Sequence, residues 1–376
     1  MKKALVVTTV SSTIKAFLIP QISLLRSKGY KVEIATHVMG DLSEFQKHIQ
    51  NTVVHNVPFN RNAKSLENVY AYKMIKKIIR NTEYDLIHVH TPIAAFLTRL
   101  ASTNRNTVVY TAHGFHFNEN GSSISNFIYK TMEKIAATKT DKLVVINKDD
   151  YEIGKSIIDS SKLQYIKGVG VDMNEYNEDI IDDKEKIAFK RELGINRDTK
   201  VITHIAEVNS NKRQIDTVLA AEKLREMYGD NFVVLLAGRG PLHESIKEKI
   251  QELGLEKHVK CLGFRNDINK ILSITDIGML ISLREGLPKS VMEMMAMKIP
   301  VLLTNIRGNR DLVKHNENGI LVDIKNPNQI AEGWHKILTD SILANQFKEK
   351  SYNKILNEYS LEKVLYDLGR LYDELI

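Results

Sequence analysis

Two glutamates stand eight positions apart in the stretch REGLPKSVMEMMAMKIPVLLTN, residues 284–305. Glu285 precedes a Gly-Leu-Pro turn and Glu293 follows it. A strand exit and a helix start separate them, so they do not share one helical face and are not paired for acid–base exchange. Pro288 suits the first position of a helix, where its missing N–H costs nothing. The N–H groups of Lys289 and Ser290 then point back toward the turn formed by Gly286 and Leu287. That makes an anion seat, reinforced by the helix dipole. A phosphate in that seat would repel a carboxylate beside it, so each glutamate is better suited to accept hydrogen bonds from sugar or ribose hydroxyls. Met292, Met294, Met295 and Met297 read as packing.

Other residues with chemical potential follow apolar runs. His113 directly follows VVYTA and precedes Gly114, where backbone and ligand can approach closely. A neutral imidazole there can hydrogen-bond a hydroxyl, act as acid or base, or simply shape a turn. Lys212 and Arg213 follow KVITHIAEV, and two cations at a strand mouth suit a diphosphate. Arg239 and Gly240 lie in the glycine turn AGRGP, and Arg307 in TNIRGN, residues 304–309. His88 and His90 alternate in DLIHVHTP, with Thr91 at its exit. No carboxylate cluster completes a ligand set around them, so they read as satisfied polar groups. The hydroxyl-rich run Thr8–Thr13 follows the first apolar stretch. It carries no G-x-G-x-x-G dinucleotide fingerprint.

These residues need elements to position them. ALVVTTV, KVEIATHV, DLIHVH, NTVVYTAH and KLVVINK alternate with helical patterns. After the acidic, strand-poor segment KGVGVDMNEYNEDIIDDKEK the alternation resumes with KVITHIAEV, NFVVLLAG, HVKCLGF, DIGMLIS, IPVLLT and GILVD. Short apolar runs alternating with helices predict parallel sheets with crossovers. The fold class is therefore α/β, with two consecutive doubly wound domains whose ligands lie at the carboxyl ends of strands, in the crevice between domains. The boundaries read as 1–170, 171–355 and a terminal amphipathic helix, 356–376, capped by Ser360.

At 376 residues the chain exceeds one ordinary core, which agrees with two domains. With 43% apolar and 26% charged residues it has the composition of a globular enzyme. No apolar run reaches the length of a membrane span. The start, MKKALVVTTV, is read as a first strand, because no small-residue cleavage site follows its short apolar run. One cysteine, Cys261, excludes an internal disulfide and a cysteine cluster for zinc. A cytoplasmic protein is expected. Residues 1–170 hold 23 Lys and Arg against 13 Asp and Glu, whereas the remainder holds 30 against 33. A basic first half points to a polyanionic partner: a phosphorylated substrate, an anionic membrane surface or nucleic acid. Nucleic acid is not expected, since no helix-turn-helix, zinc or aromatic RNA-binding pattern appears.

The pattern S-x-x-E-G-x-P-x-x-x-x-E-x-x-x-x-x-x-P-V-x-x-T resembles the signature of family 4 glycosyltransferases, retaining enzymes of the two-Rossmann GT-B fold. IHVHTP, YTAHGFHF, INK at 146–148, GVGVD at 168–172, LGFRND at 262–267, TNIRGNRDLV at 304–313 and NGILV at 318–322 extend the resemblance toward the exopolysaccharide and capsule branch. The resemblance implies a nucleotide-sugar donor, a UDP-sugar first, and a saccharide on undecaprenyl diphosphate as acceptor. It places Glu293 on the ribose, Glu285 on the donor sugar, Lys212 on the diphosphate and His113 beneath the transferred sugar. Phe264 and Arg265 fall near the base, and the backbone of Gly286, Leu287, Pro288, Lys289 and Ser290 seats the diphosphate. Thr13 and Thr91 fall on the acceptor side. No cofactor and no metal are implied, because cationic side chains and helix N-termini stabilise the leaving diphosphate.

The chain departs from the family pattern where Gly-Arg usually precedes the lysine, for it has Ala206-Glu207. Either Arg213, Arg239 or Arg307 supplies the second charge, or Glu207 serves the acceptor. The glycine pair common in the first loop is also absent. Residues 62–81 read as a helix with Leu66, Val69, Tyr70, Ile78 and Ile79 on one side and Lys73, Lys76, Lys77 and Arg80 in its second half. This is either a surface helix over the sheet or a dock for anionic lipid. Rival readings are a UDP-sugar epimerase or inverting transferase, and an inactive nucleotide-sugar-binding protein.

Overall fold

The computed structural model describes residues 1–49, 52–117 and 122–375. The chain divides into two compact units, Met1–Val169 with Val364–Ile376, and Gly170–Lys363. Each contains one wholly parallel sheet, and the expected two α/β domains are present.

The first sheet comprises β1 (Lys3–Val10), β2 (Lys31–His37), β3 (Val53–Asn56), β4 (Leu86–His90), β5 (Thr107–Ala112), β6 (Lys142–Val145) and β7 (Leu163–Tyr165). Their order is β3-β2-β1-β4-β5-β6-β7, so the winding reverses between β1 and β4. The second comprises β8 (Lys200–Ile205), β9 (Phe232–Ala237), β10 (Val259–Gly263), β11 (Ile277–Leu280), β12 (Val301–Thr304) and β13 (Ile320–Val322). Its order, β10-β9-β8-β11-β12-β13, reverses between β8 and β11. The central strands are buried along almost their whole length. Burial on both faces explains why they read as continuous apolar runs rather than alternating ones.

The helices used below are α1 (Ile19–Ser27), α2 (Glu67–Asn81), α3 (Pro92–Ala101), α4 (Ser123–Ala137), α5 (Gln214–Tyr228) and α6 (Lys289–Ala296). Thr8, Thr9 and Val10 belong to β1, and Ser11 begins a helical turn that continues through a π-turn, Ile14–Leu18. The hydroxyl-rich run is thus a strand end and helix start. The last helix, Leu361–Glu374, places Val364, Leu368, Leu371 and Tyr372 in the apolar cluster that holds Ala4, Val6 and Ile22.

In the second unit the segments leaving the strands pack backbone against backbone. A Cβ built on Gly238 would stand 1.9 Å from the Ala206 carbonyl oxygen, and one on Gly308 would stand 2.1 Å from that of Gly286. Gly308 also has φ +78°, in the left-handed region that favours glycine. These glycines accommodate neighbouring loops of the protein itself. Gly238→Ala and Gly308→Ala are each expected to cost about 2–3 kcal/mol in urea unfolding, as overpacking and backbone strain dictate. Unchanged midpoints would show that the loops separate freely.

Candidate functional site

The second unit concentrates its chemistry at the β8/β11 reversal. The segment leaving β8 is held by Asn209, whose side-chain oxygen accepts from the N–H groups of Asn211 and Lys212 at 3.0 and 3.1 Å. It is tied to the segment leaving β11 by Leu283 N–H to the Asn211 carbonyl, 2.8 Å, and by Asn211 Nδ2 to the Arg284 carbonyl, 3.0 Å. Across this joint Lys212 Nζ lies 2.5 Å from Glu285 Oε1, with both side chains mostly buried. The sequence assigned the two separate ligand contacts; here they contact each other.

Beyond Glu285, Pro288 takes an extended conformation at the N-cap, and α6 begins at Lys289. The helix therefore starts one residue later than expected, and Pro288 fixes the entry rather than the first turn. Lys289 and Ser290 supply first-turn N–H groups as expected. Gly286 precedes them, and Leu287 is buried. Glu293 is only 7% exposed, inside α6, where Lys289 Nζ approaches to 3.4 Å. Burial raises its pKa even so, against the Lys289 charge and a hydrogen bond from the Tyr176 hydroxyl. Tyr176 lies in the acidic, strand-poor segment between the two sets of apolar runs, and no local pattern marks it. Met292, Met294 and Met295 of α6 and Met297 just after it are all buried, and Met294 covers Gly278 of β11.

The candidate cations differ in how they are committed. Arg213, in a left-handed conformation before α5, places Nε 2.8 Å and Nη2 2.5 Å from the carboxylate oxygens of Asp216. Arg265 is likewise paired with Asp267. Arg239 is exposed and passes over Gly263, and among the described residues no carboxylate pairs with it. Arg307 is half-buried after β12. Glu207 is exposed, and its backbone carbonyl accepts from Gln214 Nε2 at 3.1 Å. Gly240 abuts the Val208 backbone. Phe264 presents an aromatic face that is 68% exposed beside the end of β10. Among the described residues no cluster of His, Cys, Asp or Glu is arranged to hold a metal ion.

The first unit shows the same stitching at its own reversal. Thr9 of β1 donates its N–H to Thr91 Oγ1 at 2.8 Å, and the two hydroxyls lie 2.7 Å apart. Thr91 has φ 64° and ψ 137°. That conformation is strained for a β-branched residue, costs about 1–3 kcal/mol and is held by these bonds. Thr9, Thr13, Arg61, Thr91 and His116 line a pocket of about 230 Å³. Arg61 and His116 were not singled out from the sequence. His113 follows β5, with its Nε2 3.1 Å from His90 Nδ1 and its ring against Phe17 of the π-turn.

Burial lowers the pKa of His88 to about 3 and of His113 to about 4, and holds His90 well below its usual range. All three are neutral near pH 7. Unfolded, they would take up protons near 6.5, so the unfolded state binds more protons as the pH drops and stability declines from there downward. Between pH 6.5 and 5, above most carboxylate titration, the Tm is expected to fall by roughly 3 °C per pH unit for each such imidazole. A flat Tm over that interval would contradict neutral burial.

The description Glycosyl transferase 4-like matches residues 5–147, and Glycosyl transferases group 1 matches residues 185–354. A Bacillus subtilis (strain 168) protein, EpsD, named as a glycosyltransferase, is 30% identical over 328 residues, covering 86% of this chain and 84% of its own. The UDP-Gal:alpha-D-GlcNAc-diphosphoundecaprenol alpha-1,3-galactosyltransferase of Escherichia coli is 27% identical over 370 residues, covering 95% and 92%. Anabaena Alr3699/HepE, solved in complex with UDP and glucose, superposes with a TM-score of 0.81 at 18% identity over 100% of both chains. The chain belongs to the family 4 glycosyltransferases of the GT-B fold, and it is a glycosyltransferase.

Proposed function

We propose that the protein transfers a sugar from a nucleotide-sugar, a UDP-sugar first, to a saccharide on undecaprenyl diphosphate, with retention, in capsule or exopolysaccharide assembly. The observation that carries this reading is the Lys212–Glu285 pair beside the start of α6. A diphosphate seated at the first-turn N–H groups draws Lys212 away from Glu285 and releases the carboxylate to accept hydroxyl hydrogen bonds from the sugar. Glu293 takes the ribose hydroxyls, Phe264 stacks on the base, and Arg239 supplies the second charge in place of the arginine replaced by Glu207. His113 is assigned to the transferred sugar, Thr13 and Thr91 to the acceptor. These cations and N–H groups serve the leaving diphosphate without a metal. The acceptor hydroxyl attacks from the leaving-group face. The acceptor named for the Escherichia coli relative supports the lipid-diphosphate class.

Purified protein is expected to hydrolyse a UDP-sugar slowly without acceptor, at a rate unaffected by EDTA and abolished in Glu285→Ala. Arg239→Ala should weaken UDP binding roughly ten-fold, the loss of one charge-assisted hydrogen bond. Turnover in Glu285→Ala, or UDP affinity indifferent to Arg239, would overturn these roles. Thermal shifts against UDP-, GDP- and TDP-sugars identify the donor.

The same reading places the protein at an anionic membrane surface as a peripheral enzyme of the cytoplasmic face. No helix among the described residues is long and apolar enough to cross a membrane. Ala71, Ile75 and Ile79 are the apolar residues that α2 buries, whereas Leu66, Val69 and Tyr70, expected on the packed side, are 77%, 52% and 65% exposed. No motif in the sequence marks α4. It exposes Ile124, Phe127, Ile128 and Ile135 with Lys130 and Lys134. Exposed apolar stripes edged by lysines match an interfacial helix surface. Flotation with anionic vesicles at low salt is expected, reduced at least five-fold in Phe127→Glu/Ile128→Glu. Equal binding to neutral and anionic vesicles at low and high salt would rule it out.

A further inference from the structure

Three imidazoles run in a row beneath the carboxyl end of the first sheet. His88 and His90 of β4 stack with ring centroids 4.3 Å apart, and the His113 ring lies 5.3 Å from that of His90. Two residues outside every sequence motif close the row from beneath. Gln21 of α1 directs its amide nitrogen to His88 Nδ1 at 2.7 Å, His90 Nε2 at 3.3 Å and the Tyr372 hydroxyl at 2.9 Å. Tyr372, from the C-terminal helix, lies 2.7 Å from His88 Nδ1, and both Gln21 and Tyr372 are buried.

We propose that Gln21, with its amide oriented by Tyr372, is a positioning residue that sets the tautomer of His113 and makes it a hydrogen-bond donor through Nδ1.

The tautomers follow from the number of protons available. Each neutral imidazole carries one N–H. The amide nitrogen of Gln21 can only donate, and its two protons go to His90 Nε2 and to the Tyr372 hydroxyl, whose own proton goes to His88 Nδ1, so both ring nitrogens accept. His88 then carries its proton on Nε2 and donates to Thr111 Oγ1, 2.8 Å away. His90 carries its proton on Nδ1, and that nitrogen faces His113 Nε2 at 3.1 Å. His113 Nε2 must accept, which leaves its one proton on Nδ1. With the Tyr372 proton on His88 Nδ1 and the two Gln21 protons on Tyr372 and His90, each lone pair in the row receives one proton and no donor opposes a donor. A histidine held this way offers a fixed N–H to an oxygen atom, and its basic nitrogen is turned inward and already occupied. It therefore orients an oxygen of the bound sugar and does not serve as the base that removes a proton from the acceptor. This role for His113 rests on the glycosyltransferase reading above, but the tautomer itself does not.

Nitrogen-15 histidine NMR on the full chain without substrate separates the two. In the wild type His113 is expected to show a protonated Nδ1 and an unprotonated Nε2. Gln21→Glu replaces the donor with an acceptor of the same shape. His90 Nε2–H then turns to the carboxylate, His90 Nδ1 becomes the acceptor, and the His113 proton moves to Nε2. In the transfer assay the same variant is expected to lose at least about ten-fold in kcat with KM for the nucleotide-sugar within about two-fold, the pattern of an interaction made in the transition state. A wild-type His113 protonated at Nε2 overturns the proposal even if the variant does not fold. So does a Gln21→Glu protein whose His113 keeps the wild-type tautomer. Correct tautomers with unchanged kcat would overturn the catalytic consequence.

Discussion

Lys212 reaches Glu285 across the one place in the second sheet where consecutive crossovers turn in opposite directions. At such a reversal two adjacent strand ends send their chains apart, and a crevice opens that the backbone alone cannot close. The protein closes it with one ion pair and two hydrogen bonds between the segments leaving β8 and β11. Gly238 and Gly308 let the flanking segments press against the same joint from either side. The start of α6 and the position of Glu285 follow from that fastening. The first sheet is joined at its own reversal by Thr9 and Thr91, at the cost of a strained Thr91 backbone.

An ion pair that is mostly shielded from water is poor evidence of net stability, since desolvation offsets much of its Coulomb energy. Its value here is orientation. The pair fixes the Lys212 ammonium and the Glu285 carboxylate against each other, in the segments that leave β8 and β11. Under the proposed function a diphosphate competes with Glu285 for the lysine, and the displaced carboxylate becomes available to hydroxyl groups. The buried histidines of the first unit work by a related economy. None is charged near neutral pH, so each can carry only one N–H, and the partners decide where it sits.

The alternation of apolar runs and helices made the two sheets legible, because a strand buried on both faces needs an unbroken apolar stretch. Glu285, Pro288 and Glu293 were legible because their spacing is fixed by a local turn and helix. Partners chosen by tertiary packing were not. Tyr372 meets Gln21 across 351 positions, and Tyr176 reaches Glu293 from a segment without periodicity. Arg213 looked like a ligand-binding cation from its place after a strand, yet Asp216, one helical turn on, takes up its guanidinium. Gly238, in the glycine turn AGRGP, meets the Ala206 carbonyl, a backbone partner that no local pattern names. On α2 the apolar pattern was wide enough to predict a buried side containing Val69 and Tyr70, whereas Ala71 and Ile75 fill that place.

Calorimetric titration of UDP into Lys212→Met and Glu285→Gln tests the competition at the centre of this account. If Glu285 holds the lysine that the diphosphate needs, Glu285→Gln binds UDP at least as tightly as the wild type while transferring no sugar, and Lys212→Met binds UDP at least about ten-fold more weakly. Equal losses of UDP affinity in the two variants would contradict it, because the pair would then be a structural unit rather than a lysine on loan.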